Sequence, residues 1–161
     1  MKNRQSYIAR RRFLRGMVGG GAAALGATAV GPLAAYVGNL RSEPLPDFLV
    51  LAPADYELEP GRAKIIRFGP LPVLLLKTAE VNPTLKIFLA TCTHFDCVVG
   101  YQPDEGCILC ACHEGRFDLN GNVISGPPPA PLTSFYHAFR EDELIIALEK
   151  QNLDKALGEP G

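Results

Sequence analysis

All five cysteines and two of the three histidines fall between Cys92 and His113. They form two boxes, Cys92-Thr93-His94-Phe95-Asp96-Cys97 and Cys110-Ala111-Cys112-His113-Glu114-Gly115. Each box pairs a Cys with a His at short spacing and adds one further Cys. Thiolate and imidazole together suit zinc or an iron–sulfur centre. With 12 residues between the boxes, the chain has to fold so that two loops converge on one point.

The surrounding sequence agrees. Ala63–Phe68, Val73–Thr78, Thr84–Thr91, Cys107–Cys110, Leu132–Phe139 and Glu143–Glu149 are short runs rich in Val, Ile, Leu, Phe and Tyr. Turn residues separate them: Pro60-Gly61, Gly69-Pro70, Asn82-Pro83, Pro103-Asp104-Glu105-Gly106 and Asn120-Gly121. The expected body is therefore an all-β antiparallel domain, a sandwich or barrel, running over residues 48–161. The tail Gln151–Gly161 reads as a helical turn or an irregular end. Cys107, three residues before Cys110, reads as a buried strand thiol. His137, among Phe135, Tyr136 and Phe139, reads as a packing or surface residue.

Ahead of the body the chain changes character. Gly16 to Leu40 is 25 residues without a charge, with seven Gly and seven Ala. As a helix it would extend about 37 Å against a hydrocarbon core of about 30 Å. This predicts a transmembrane anchor over 16–40; a cleaved signal peptide is the other reading, with Ala27-Thr28-Ala29 as a small-residue cleavage site. Before it, residues 1–15 hold six basic residues and no acid, which leaves ten basic against seventeen acidic residues, a charge of −7, for the rest. A basic stub on an acidic body argues against nucleic-acid binding, which needs positive charge on the folded face. Ala9-Arg10-Arg11-Arg12-Phe13-Leu14-Arg15 resembles the twin-arginine export signal, an address read by a receptor. Residues 1–15 are then cytoplasmic and the body lies on the periplasmic side of the inner membrane, a single-pass topology that the positive-inside rule also favours. Arg41–Asp47, with Pro44 and Pro46, reads as an extended linker or hinge.

The two boxes resemble those of the Rieske iron–sulfur proteins of cytochrome bc complexes, whose pattern is Cys-x-His-x-x-Cys followed by Cys-x-Cys-His. Downstream, Arg116–Asn122 resembles the return strand and turn of that family, and Gly126-Pro127-Pro128-Pro129-Ala130-Pro131-Leu132 its proline loop. The resemblance implies a [2Fe–2S] cluster, with Cys92 and Cys110 on one iron and His94 and His113 on the other. It also implies a disulfide between Cys97 and Cys112, chemistry at home outside the cytoplasm. A zinc site built from the same four ligands would leave Cys97, Cys112 and the proline loop unexplained. The implied partners are a cytochrome b subunit, a c-type cytochrome and quinol, the last contacted by His113, in a dimeric membrane complex. A second reading is the Rieske small subunit of an arsenite oxidase-like molybdenum enzyme. A Rieske ferredoxin serving a dioxygenase would lack the anchor and the extra cysteine pair.

The chain departs from the pattern at instructive places. Asp96 and Glu114 stand where the family usually has Gly. Gly115 and Phe117 stand where high-potential relatives have Ser and Tyr, whose hydroxyls bond to the cluster and its ligand sulfur. Neither replacement has a side-chain donor. Two thiolates and two neutral imidazoles leave an oxidised cluster uncharged, which eases reduction. Rieske centres accordingly lie at about −150 to +300 mV, against about −400 mV for plant-type ferredoxins. Missing donors and nearby acids predict the lower part of that range, which suits menaquinol.

Overall fold

The run Leu71–Lys77 is the most continuously apolar stretch of the body, and its burial organises the architecture. The computed structural model describes residues 2–39, 44–79 and 81–158. Within Leu71–Lys77 (strand β3), Val73, Leu74, Leu75 and Leu76 are all buried. A strand points successive side chains to opposite faces, so both faces of its sheet must be covered. They are. Val73 and Leu75 pack with Leu51, Phe68, Ile87, Phe135, Leu144 and Ile146. Leu74 and Leu76 pack with Phe88, Ala90, Cys92, Ile108, Cys110 and Phe117. The cysteines of the boxes thus belong to one wall of the second core.

Among the described residues, ten strands make three antiparallel sheets. The central one is β2 (Arg62–Phe68), β3 and β4 (Leu85–Leu89), with β3 in the middle. Gly69 takes φ 58 in the two-residue Gly69-Pro70 loop joining β2 to β3, at the position a type II′ hairpin reserves for glycine. The first sheet is β1 (Leu49–Leu51), β10 (Glu143–Ala147) and β9 (Tyr136–Arg140), in that order. Its register sets Leu49 opposite Ile146, so the two ends of the body are paired. The third sheet is β5 (Gly100–Gln102), β6 (Cys107–Cys110), β7 (Gly115–Phe117) and β8 (Val123–Ser125). The chain leaves the central sheet after β4 to build it and returns at the bridge between Phe88 and Ser134. Leu89 N donates to Thr133 O at 2.8 Å, and Phe135 N to Ile87 O at 2.9 Å, closing the neck of this excursion.

The all-β antiparallel expectation holds. Cys107–Cys110 is a strand at the expected bounds, whereas Leu132–Phe139 splits: strand pairing starts only at Tyr136, because Leu132–Phe135 is spent crossing between sheets. Pro53–Tyr56 (α2) adds one helical turn. Of the expected tail, 159–161 lie outside the described residues; the rest belongs to helix α3 (Lys150–Leu157), ended by Gly158 at φ 78, a left-handed glycine cap. Leu153, Ala156 and Leu157 cover Ile145, Ala147 and Val50 on the outer side of the first sheet.

The chain divides into two compact units, Met1–Ser42 and Glu43–Gly161. The first holds a helix, α1, over Lys2–Asn39. Its stretch Ile8–Gly38 is long and apolar enough to cross a membrane, by length and composition. The helix runs on through the basic residues ahead of Gly16, because Lys and Arg are good helix formers and nothing breaks the turn between. Of the expected linker, 41–43 lie outside the described residues. The rest rests on the body: Asp47 pairs with Lys155 of α3 at 2.7 Å, and Pro46 lies so close to Gly69 that a Cβ there would come within 2.9 Å of its ring.

Candidate metal centre

Each box is a turn fixed by its own backbone. In the first, Thr91 and Val98 form a bridge, Cys97 O accepts from Cys92 N at 2.8 Å, and Cys92 O accepts from Asp96 N at 3.1 Å. The second is the turn between β6 and β7, whose register pairs Cys110 with Gly115. These turns pass through left-handed backbone at Asp96 (φ 54) and Glu114 (φ 56). Glycine adopts such angles freely and other residues do not, which is the physical reason a glycine is the usual choice at both positions.

The structure brings the predicted residues together in pairs. Cys92 and Cys110 are free thiols, 1% and 2% exposed. They are neighbours. Burial pushes the Cys92 thiol above its ordinary value and the Cys110 thiol beside it adds to the effect, while backbone N–H groups of His94 and Phe95 pull the other way. A metal ion reverses that balance by taking the thiolate directly. The rings of His94 and His113 meet edge to face at 4.9 Å. His94 Nδ1 is buried with no hydrogen-bond partner. The two boxes thus hold two buried free thiols and an orphaned imidazole nitrogen, donor types that fit a mixed Cys/His iron–sulfur centre. His113 is exposed, and Phe95, 69% exposed, stacks beside His94 at 4.2 Å.

Three ties hold the turns. Cys97 and Cys112 form a disulfide, Cα to Cα 6.7 Å. The sulfur of Cys110 lies within 4.8 Å of both disulfide sulfurs, but these two are spent on each other and leave Cys110 as the available thiol. Thr93 Oγ1 donates to Ala130 O at 2.7 Å, fastening the first box to the proline loop. Finally, Gly126 (φ 94) seats that loop on the second box: a Cβ there would lie 2.8 Å from Gly115 Cα.

Thr93, Gly126 and Asp118 have roles that the sequence alone did not assign to them. Asp118 Oδ1 accepts from Asn120 N and Asn122 N at 2.8 Å each, and Oδ2 from Asn122 Nδ2 at 3.0 Å. Its partial burial works against the charge, but these three bonds and nearby Lys86 outweigh it and hold the carboxyl below its ordinary value. The signal was present in Asp118-Leu119-Asn120-Gly121-Asn122, an Asx-type turn. Cys107 is buried at the start of β6, its thiol 3.7 Å from Glu105, whose carboxylate also pairs with Arg116. His137 is exposed on β9.

Comparison with known proteins agrees with this geometry. The Rieske [2Fe-2S] domain matches residues 48–136. The cytochrome b6-f complex iron-sulfur subunit of Chlorobaculum thiosulfatiphilum is 30% identical over 139 residues, covering 86% of this chain and 75% of the relative. The same subunit of Chlorobaculum tepidum is 27% identical over 140 residues, with the same coverage. Among solved structures, a chain of a hyperthermophilic respiratory Complex III superposes with a TM-score of 0.51 at 24% identity, covering 77% of this chain and 96% of that one.

Proposed function

The chain belongs to the Rieske [2Fe–2S] family, and from that premise we propose that it is the iron–sulfur subunit of a membrane quinol:cytochrome c oxidoreductase of cytochrome bc type. The observation that carries the proposal is the donor set: two buried free thiols and two facing imidazoles on adjoining turns. The relatives named as cytochrome b6-f subunits support the complex-bound role over the molybdenum-enzyme reading. Cys92 and Cys110 would hold one iron, His94 and His113 the other. A bound [2Fe–2S] cluster supplies a one-electron acceptor and donor.

The protein's own residues supply the rest. Burial of Cys92 and Cys110 keeps water from their sulfurs. His113 is exposed, so a ring nitrogen not spent on the metal would accept a hydrogen bond from a quinol hydroxyl and take up its proton as the electron leaves. Gly115 and Phe117 offer no side-chain hydrogen bond, and Asp96 and Glu114 add negative charge at the tip. Both features favour a low potential and menaquinol as the donor. The electron acceptor in this reading is a c-type cytochrome, and a cytochrome b partner takes the second electron. Residues 1–15 act as a cytoplasmic twin-arginine region, 16–40 as the anchor and 41–47 as the linker, with the domain 48–161 on the periplasmic side.

Potentiometric titration followed by EPR on the full, cluster-loaded chain in detergent tests this. A Rieske-type signal in the lower part of the range of about −150 to +300 mV supports it. A Rieske-type signal near the top removes menaquinol. No reducible iron, with zinc by metal analysis, overturns electron transfer altogether. His113→Ala is expected to lose the cluster; a normal cluster spectrum in that variant refutes the ligand role.

A further inference from the structure

Gly115 is glycine because of a neighbour, not because of its own backbone. Its φ lies outside the left-handed range occupied by Gly121 and Gly126. What excludes a side chain is Pro128. A Cβ on Gly115 would lie 2.6 Å from Pro128 Cγ and 3.0 Å from its Cδ. A proline ring has no rotamer to swing away, and Pro128 is itself buried. The proline loop is also tied to the first box by the bond from Thr93 to Ala130, which resists its moving away. The same Cβ would stand 3.6 Å from Cys110 Cβ. A hydroxyl there would therefore reach the neighbourhood of the Cys110 sulfur.

We propose that Pro128 locks position 115 to glycine: its ring fills the space a side chain there would need, and so bars from this chain the hydroxyl donor that high-potential relatives carry at that position. Hydrogen bonds to cluster sulfurs raise the potential, because they favour the more negative, reduced state. The low poise is then built into the seat of the proline loop, and no substitution at position 115 alone can undo it. This rests on the reading that Cys110 is a cluster ligand and that the chain works at low potential.

The test compares Gly115→Ser, Pro128→Ala and the double variant in the full, cluster-loaded chain. The readouts are cluster content, EPR lineshape and midpoint. Pro128→Ala removes both clashing atoms and adds no side-chain donor, so it is the reference for the double variant. Gly115→Ser alone is expected to lose most of its cluster, or to keep the wild-type midpoint in the fraction that loads. Adding Pro128→Ala is expected to restore loading and shift the reduction equilibrium at least tenfold toward the reduced form relative to Pro128→Ala alone, about 59 mV for one electron. Two results overturn the proposal. One is Gly115→Ser alone loading normally with the full upward shift. The other is a double variant that shows neither restored loading nor a raised midpoint. A wild-type midpoint near the top of the Rieske range would fault the low-potential reading instead, and the wild-type titration reports that separately.

Discussion

Replacing Cys97 and Cys112 together by Ser removes the cross-link between the two boxes while leaving Cys92, Cys107 and Cys110 in place. The sequence separation is 15. In the chain-entropy account a closed loop of that length stabilises the folded state by about 3 kcal/mol at 25 °C, by restricting the unfolded chain. Against a typical domain stability of about 5–15 kcal/mol, that is a change of roughly 10²-fold in the folding equilibrium. The fold should survive it. The first box keeps its tie to the proline loop through Thr93, and the second keeps its β6–β7 pairing. The assay is urea unfolding of the full, cluster-free chain. The sequence has no Trp, so tyrosine fluorescence is the signal, with Tyr56, Tyr101 and Tyr136 in the body. Oxidised wild type must first show three reactive thiols on unfolding and five after reduction. The expected result is a lower midpoint in the variant and a slightly larger slope, because its unfolded state is less compact. Reductant should move wild type onto the variant's curve and leave the variant where it is. A difference below about 0.5 kcal/mol, with oxidation verified, would refute the entropic reasoning.

Thr93→Val keeps shape but loses the bond to Ala130, which should cost about 1 kcal/mol and hasten cluster loss; Thr93→Ser, measured alongside by thermal melting and cluster absorbance decay, should behave like wild type. Asp118→Ala should destabilise the body by about 1 kcal/mol at neutral pH. The Asp118 carboxyl is held below its ordinary value, so its contribution is complete above the unfolded-state value and fades as pH falls through the depressed folded-state one; unfolding curves for the two proteins should therefore converge in acid. Glu114→Gly relieves left-handed strain of about 1–2 kcal/mol while adding about 0.5–1 kcal/mol of glycine entropy cost. A net gain of about 0.5 kcal/mol is expected in urea unfolding, larger than for Asp96→Gly, because Asp tolerates this backbone better.

The boxes were legible because metal-ligand chemistry needs particular residue types at particular spacing. β2, β3, β4, β6 and β10 were legible because they are long or apolar enough to carry a pattern. β1, β5 and β8 were not. Each is three residues long and owes its state to its partner strand rather than to its own periodicity. Helix α3 was left open because its few apolar residues declare a face only once Ile145 and Ala147 present something to cover. At Gly115 the sequence disclosed a missing hydroxyl, but only the packing shows Pro128 standing in its place. Likewise Pro44 and Pro46 read as free tether until Gly69 and Lys155 show that part of it is fastened down.

The pairing of Leu49 with Ile146 has a consequence for biosynthesis. The first sheet joins β1, at the start of the body, to β10, at the far end of the strand order, so it closes only after the whole intervening chain has been made. The two cysteine turns and the disulfide between Cys97 and Cys112 lie inside that span, so they can meet before the sheet that closes the body has formed.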